Sequence, residues 1–287
     1  MRINTNVASL NSNRVLQLTN TAVARTLGRL SSGYRINRSA DDAAGLGIAN
    51  KLRADLRSLR QAARNAEQAN AMLQIAEGAV QSIQSIVERM KELATQAASA
   101  NTDDNGRAKI QDEFGKLIEE IGRIVETTKF QDVKLLKSTS FDFMFMVSSS
   151  GEYGDSTNGA GSDFVTIHGT ELDLSGLRGT IVDSLPTDGT PWTQAHWRDV
   201  LANVDNALAG VAKALGAIGA AQNRIEHAFN NTNIAIENYA AAESTIRDAD
   251  FAAEVAELTR LQILQQSGIA MLAQANAAPQ AILALLR

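Results

Sequence analysis

Three histidines and the adjacent carboxylates Asp41-Asp42 offer the first scope for chemistry in this 287-residue chain. His168, His196 and His227 are widely separated, and no two share the i, i+4 spacing that sets a pair of metal ligands on one helix face. His196 falls in the first turn of an expected helix and His227 flanks an apolar seam beside Glu226, positions that suit surface or partly packed histidines better than ligands. Asp41-Asp42 reads more simply as acid in the first turn of a long helix, where the positive end of the dipole favours it, than as a catalytic carboxylate pair. Gly45-Leu46-Gly47 is half of a dinucleotide fingerprint, with no strand before it and no third glycine. A phosphate-binding Gly-x-x-x-x-Gly-Lys-Ser/Thr run and a Gly-x-Ser-x-Gly elbow are both missing. With no cysteine there is neither a thiol nucleophile nor a thiolate metal site. The expectation is a protein with no catalytic residues, metal or cofactor.

The elements that would position any site are long helices. Of 46 alanines, 19 fall in residues 1–100, 3 in 101–200 and 24 in 201–287, so two alanine-rich ends flank a different middle. Stepping by three and four from Leu59 gives Leu59, Ala62, Ala66, Ala69, Leu73, Ala76, Val80, Ile83, Val87, Met90, Ala94 and Ala97, every position apolar. An alternation sustained this far keeps one stripe facing a partner helix. Turn formers at Asp103-Asp104-Asn105-Gly106 end it, and a shorter helix follows with Ile110, Phe114, Leu117, Ile121 and Ile124 on its seam. Helix resumes after a Thr193 N-cap, with Trp192 and Trp197 placed as a hydrophobic staple. Its expected seam starts Leu201, Val204, Leu208, Val211, Leu215, Ile218 and weakens at Arg247-Asp248-Ala249-Asp250. Both chain ends step in the same way, through Ile3, Val7, Leu10, Leu27 and Leu30 and through Phe251, Val255, Leu258 and Leu272, predicting amphipathic terminal helices. Between about 138 and 192, Phe141, Phe143 and Phe145 alternate with Asp142 and Met144, and Phe164–Ile167 and Leu172–Leu174 read as further short strands. The predicted fold is mainly α: a long, coiled-coil-like helical bundle built by the N- and C-terminal halves, with a small β-hairpin region in the middle.

Charge is segregated. Residues 1–64 carry eleven Lys/Arg against Asp41, Asp42 and Asp55, a balance of +8 that leaves −13 for the rest. The arginines fall singly through a helical pattern without interleaved aromatics, which argues against nucleic acid and for acidic partners elsewhere in the chain or on another copy. No apolar run follows the opening Met-Arg, so no cleaved secretory peptide is expected, and no run is long enough for membrane insertion. Helices with thin apolar stripes are marginal alone, so the two ends are expected to pair with each other and with further copies.

Specific segments carry a resemblance. Leu30-Ser31-Ser32-Gly33-Tyr34-Arg35-Ile36-Asn37, followed by Asp41-Asp42-Ala43-Ala44-Gly45-Leu46, resembles the N-terminal signature of bacterial flagellin. Ala242–Asp250, Met271-Leu272-Ala273-Gln274-Ala275-Asn276 and the final Leu285-Leu286-Arg287 resemble the closing motifs of that family, in order. The likeness covers roughly 1–137 and 193–287 and leaves too few residues between for the large variable surface domains, implying a short form.

The resemblance implies a structural subunit that polymerises with itself into the extracellular filament used for motility, and no enzyme. It implies an inner filament domain from 1–42 with 248–287, and a helical-bundle domain over 43–247 carrying the insert at about 138–192. It further implies export through the flagellar type III channel, with cap, hook-junction and export-chaperone proteins as partners. Arg89, Leu93 and Glu113 match positions through which flagellins engage toll-like receptor 5, and the helical spacing puts Arg89 and Leu93 on one face. The alternatives are a hook–filament junction protein, a helical adhesin, and a flagellin bearing a metalloprotease insert, the last lacking a zinc motif and space for a domain.

Overall fold

The computed structural model describes residues 6–137, 142–147, 164–182 and 192–285. Ile3, Phe141 and the Gly151–Gly161 stretch lie outside the described residues. The elements run α1 (Val7–Ser32), α2 (Ala43–Ala97), α3 (Asp104–Thr127), β1 (Lys129–Phe130), β2 (Val133–Lys134), β3 (Phe143–Met146), β4 (Phe164–Ile167), α4 (Gly169–Leu172), α5 (Ser175–Val182), α6 (Gln194–Arg247) and α7 (Phe251–Leu285). They group into two compact units, 1–56 with 237–287, and 57–236.

In the unit 57–236, all twelve predicted seam residues from Leu59 to Ala97 are buried. Polar bonds fix the antiparallel register of α2 and α6: Gln194 Nε2 donates to the Ala98 carbonyl at 2.8 Å, Lys91 Nζ meets Asp205 at 2.7 Å, and Gln222 Nε2 donates to Glu77 at 2.8 Å. The α6 seam differs from the prediction. Val204, Val211 and Ile218 are buried as expected, but Val200, Ala207, Ala214 and Ala221 complete the stripe, while Leu201, Leu208 and Leu215 flank it, half-buried. The smaller side chains take the centre and the leucines close the edges. α3 packs Ile110, Phe114, Ile118, Ile121 and Val125 inward, with the predicted Leu117 and Ile124 at the margin.

Helix ends are fixed locally. Asp103 accepts from the Gly106 N–H at 2.9 Å. At α6 the staple is present, its two indole centroids 4.8 Å apart, and Phe114 meets both edge-on at 6.0 and 5.5 Å. The Thr193 side chain does not cap the helix N–H groups. Instead the His196 ring Nδ1 accepts from the Thr193 backbone N–H at 3.3 Å, as a capping-box acid would.

Among the described residues, two of the three predicted strand segments are strands. β3 and β4 pair antiparallel, Phe143 opposite Ile167 and Met146 opposite Phe164. Phe143 is buried while Met144 is exposed, the expected alternation. Leu172–Leu174 is not a strand: Leu172 closes the short helix α4, and Leu172 and Leu174 are both buried. Asp173 between them is extended, so their i, i+2 spacing puts both side chains on one side without any strand pairing. An unpredicted hairpin joins β1 to β2 through Gln131 and Asp132, at φ 46° and 67°, the left-handed pair a two-residue turn demands.

Candidate assembly surface

In the unit 1–56 with 237–287, α1 and α7 run antiparallel, their partners moving apart in sequence together. Arg29 meets Glu254 at 3.1 Å, Asn20 receives Gln265 at 2.8 Å, and Ser9 Oγ meets Asn276 at 2.7 Å. The Asn6 side chain donates to the Ala275 carbonyl at 2.7 Å while its own oxygen caps α1 at Ser9 N–H, 3.1 Å. Gly268 lets the helices approach: a Cβ there would stand 3.4 Å from Leu16.

A short backbone clasp closes the other end of this helix pair. α1 ends at Gly33, whose φ of 72° turns the chain out of the helix. Tyr34 and Asp248 form an antiparallel bridge; the Arg35 N–H donates to the Arg247 carbonyl at 2.7 Å and the Ala249 N–H to the Gly33 carbonyl at 3.0 Å. Arg35 Nη2 adds a bond to the Ile246 carbonyl at 2.6 Å. Glu243 takes both Nε and Nη2 of Arg53 at 3.0 Å and lies 3.9 Å from Arg247 Nη1.

Asp41 and Asp42 precede α2 rather than occupying its first turn. Asp42 accepts from the Gly45 N–H at 2.9 Å, and Asp41 accepts from the N–H groups of Arg38 and Asn37 at 3.0 and 3.3 Å. The Arg38 N–H is the chief reason the Asp41 carboxyl titrates below its ordinary range. Asp250 does the same work for α7, accepting from the N–H groups of Ala252 and Ala253 at 3.0 and 3.1 Å. Asp42 and Asp250 thus cap α2 and α7, while Asp41 braces the loop before α2.

The predicted assembly residues are mostly wet. Val7, Leu10, Leu27, Phe251 and Val255 are exposed; Leu30, Leu258 and Leu272 are half-buried. Stepping along a single stripe misses further exposed residues, Val15 and Leu18 on α1 and Ile263, Leu264, Ile269 and Met271 on α7. α7 is not the amphipathic helix predicted. Its apolar residues are spread around the whole circumference, leaving no polar face. At 100° per residue, Phe251 and Ile269 lie about half a turn from Leu264 and Met271. Large apolar side chains on opposite sides of one helix call for cover on more than one side, and among the described residues α7 packs chiefly against α1.

Arg89, Leu93 and Glu113 are not equivalent. Arg89 Nη2 and Nε reach Glu113 at 3.0 and 3.2 Å, and Nη1 reaches Glu92 at 3.0 Å, on an exposed face. These carboxylates, Glu92 first, hold the guanidinium above its ordinary pKa. Leu93 is 2% exposed and belongs to the core. His168 lies 3.1 Å from Asp142 on the surface. Among the described residues, no group of three or more His, Asp or Glu is placed to hold a metal ion, and no helix is long and apolar enough to cross a membrane.

The unit of the chain ends pairs antiparallel helices with apolar side chains turned outward, and the unit 57–236 has a core of its own. Bacterial flagellin N-terminal helical region matches residues 3–140, and bacterial flagellin C-terminal helical region matches 201–286. Over the whole length of both proteins the chain is 40% identical to flagellin of Halalkalibacterium halodurans and 37% identical to flagellin of Bacillus subtilis. It is 37% identical, again end to end, to a flagellar filament 30.7 kDa core protein of Treponema maltophilum. This chain belongs to the bacterial flagellin family. A crystal structure of Bacillus cereus flagellin aligns with 59% of it at 23% identity and a TM-score of 0.47, covering 88% of that chain.

Proposed function

We propose that α1 and α7, within an inner filament domain of 1–42 with 248–287, form the polymerisation surface of this chain. The chain is a structural subunit of the flagellar filament, and the relatives named above are flagellins and a filament core protein rather than junction proteins. One observation carries the assignment of the surface: α7 bears large apolar side chains on opposite sides, interleaved with its polar residues, and Phe251, Ile263, Ile269 and Met271 stand more than half exposed in a single copy. Covering side chains of this size contributes roughly 1.5–3 kcal/mol each, so association of copies supplies a large driving force. Export through the flagellar channel, an extracellular location, and cap, hook-junction and chaperone partners follow from family membership and belong to the same proposal.

Replacing Ile269 by Asp tests it. The side chain is 54% exposed, so the soluble monomer keeps its helicity and melting temperature. In a filament the carboxylate would be desolvated without a partner, and electron microscopy and sedimentation should show no polymer. Filaments formed at the wild-type concentration by Ile269→Asp would remove α7 from the interface.

A second reading, recognition by toll-like receptor 5, is favoured by the joint exposure of Arg89 and Glu113. In it these two side chains make the contact and Leu93 supports them from the core. Arg89→Ala should weaken binding of the folded monomer to the receptor ectodomain; unchanged affinity would end this reading.

A further inference from the structure

Two charged features of the unit 57–236 make no ion pair among the described residues. Arg57, Arg60 and Arg64 recur at intervals of three and four along α2 and are all exposed. At 100° per residue their face lies about 160° round from the local seam of Leu59, Ala62 and Ala66, turned away from the core. No carboxylate pairs with any of the three among the described residues, and Arg64 bonds the Gln61 side-chain oxygen, at 2.5 and 3.2 Å. The second feature is an open groove of about 430 Å³ between α2 and α6, edged by Glu67, Glu77 and Glu226. Glu77 accepts from amides alone, Gln222 at 2.8 Å and Gln81 at 3.2 Å, and no cation reaches any of the three carboxylates among the described residues.

Each cluster repels itself in an isolated copy, and a second copy brings the opposite charge. We propose that the Arg57–Arg60–Arg64 stripe of one copy docks in the Glu67–Glu77–Glu226 groove of the next. Guanidinium groups suit this groove because their planar forks satisfy carboxylate and amide oxygens together. Stripe and groove are different patches on one chain, so each copy gives one and receives the other. A heterologous contact of this kind propagates rather than closing into a dimer. It uses three of the eleven cations that residues 1–64 carry. The inference rests on the filament reading and adds a contact away from the terminal helices.

Full-length charge variants test it. Arg57→Glu/Arg60→Glu/Arg64→Glu and Glu67→Lys/Glu77→Lys/Glu226→Lys should each raise the critical concentration for polymerisation by about tenfold or more, with monomer helicity unchanged. An equimolar mixture of the two triple variants should polymerise, because each stripe then meets an oppositely charged groove on the other variant. A single chain carrying all six reversals should polymerise alone. Either triple variant assembling like the wild type overturns the contact, as does failure of both the mixture and the six-fold variant. A wild-type chain that never polymerises would instead overturn the filament reading itself.

Discussion

The guanidinium of Arg247 lies 4.1 Å over the ring of Tyr34. Arg247 Nε and Nη1 are buried without a hydrogen bond, so the ring face and the Glu243 carboxylate carry the compensation for a desolvated charge. Tyr34→Ala should cost about 1–2 kcal/mol of monomer stability and speed amide exchange at Arg35 and Ala249, whose N–H groups hold the clasp. Tyr34→Phe keeps the ring and should leave both unchanged.

Two glycines near the start of α2, Gly45 and Gly47, should respond oppositely to alanine. At Gly45 a Cβ would stand 2.4 Å from Asp42 Oδ2 and 2.9 Å from the buried Ile36 Cδ1, displacing the carboxylate that caps α2. At Gly47 nothing lies within 4 Å. Gly47→Ala should stabilise the monomer by about 0.5–1 kcal/mol through helix propensity. Gly45→Ala should lose that gain together with a cap worth about 1 kcal/mol, and melt lower. Paired thermal melts check the sign of each.

Leu93→Ala and Arg89→Ala separate core from contact. Truncating the buried leucine should lower unfolding stability by about 2–5 kcal/mol. Arg89→Ala removes only an exposed ion pair and should not shift the melt measurably. Any receptor-binding loss in Leu93→Ala therefore has to be measured well below its own melting temperature.

Lys134 and Lys137 both bind the Glu126 carboxylate and pull its pKa from 4.5 to about 2. For an acid with a depressed folded pKa, the stabilising effect is complete above the unfolded value and disappears as pH falls through the folded one. The bridge tying Lys134 and Lys137 to α3 should stay intact at pH 4 and weaken as pH falls towards about 2. NMR titration of the Glu126 carboxyl and the Val133 and Lys134 amides would follow it, and Glu126→Gln should abolish the transition.

Periodicity made the long helices legible because their cores are stripes of one repeat, and the twelve residues from Leu59 to Ala97 are buried without exception. It placed the α6 stripe imperfectly because bulk alone does not decide which residue faces inward: alanines occupy centre positions where leucine was expected. The Gln131–Asp132 turn carries no glycine or asparagine to announce two left-handed residues. Of the exposed apolar residues on α1 and α7, sequence steps identified Val7, Leu10, Phe251 and Val255 but passed over Ile263, Leu264, Ile269 and Met271, since tracing one stripe assumes a polar face that α7 lacks. The unpaired arginine stripe was visible only as a basic segment until the structure showed which charges have partners.

The paired ends have a mechanical meaning. With Asn6 bonded to Ala275 and Arg29 to Glu254, α1 and α7 begin and finish side by side. A force applied to the two chain ends would peel the helices apart like a zipper, breaking one contact at a time. A force directed along the helix axis would instead shear the whole row at once, every contact sharing the tension. The same set of modest bonds is thus weak to unthreading and strong to axial pull.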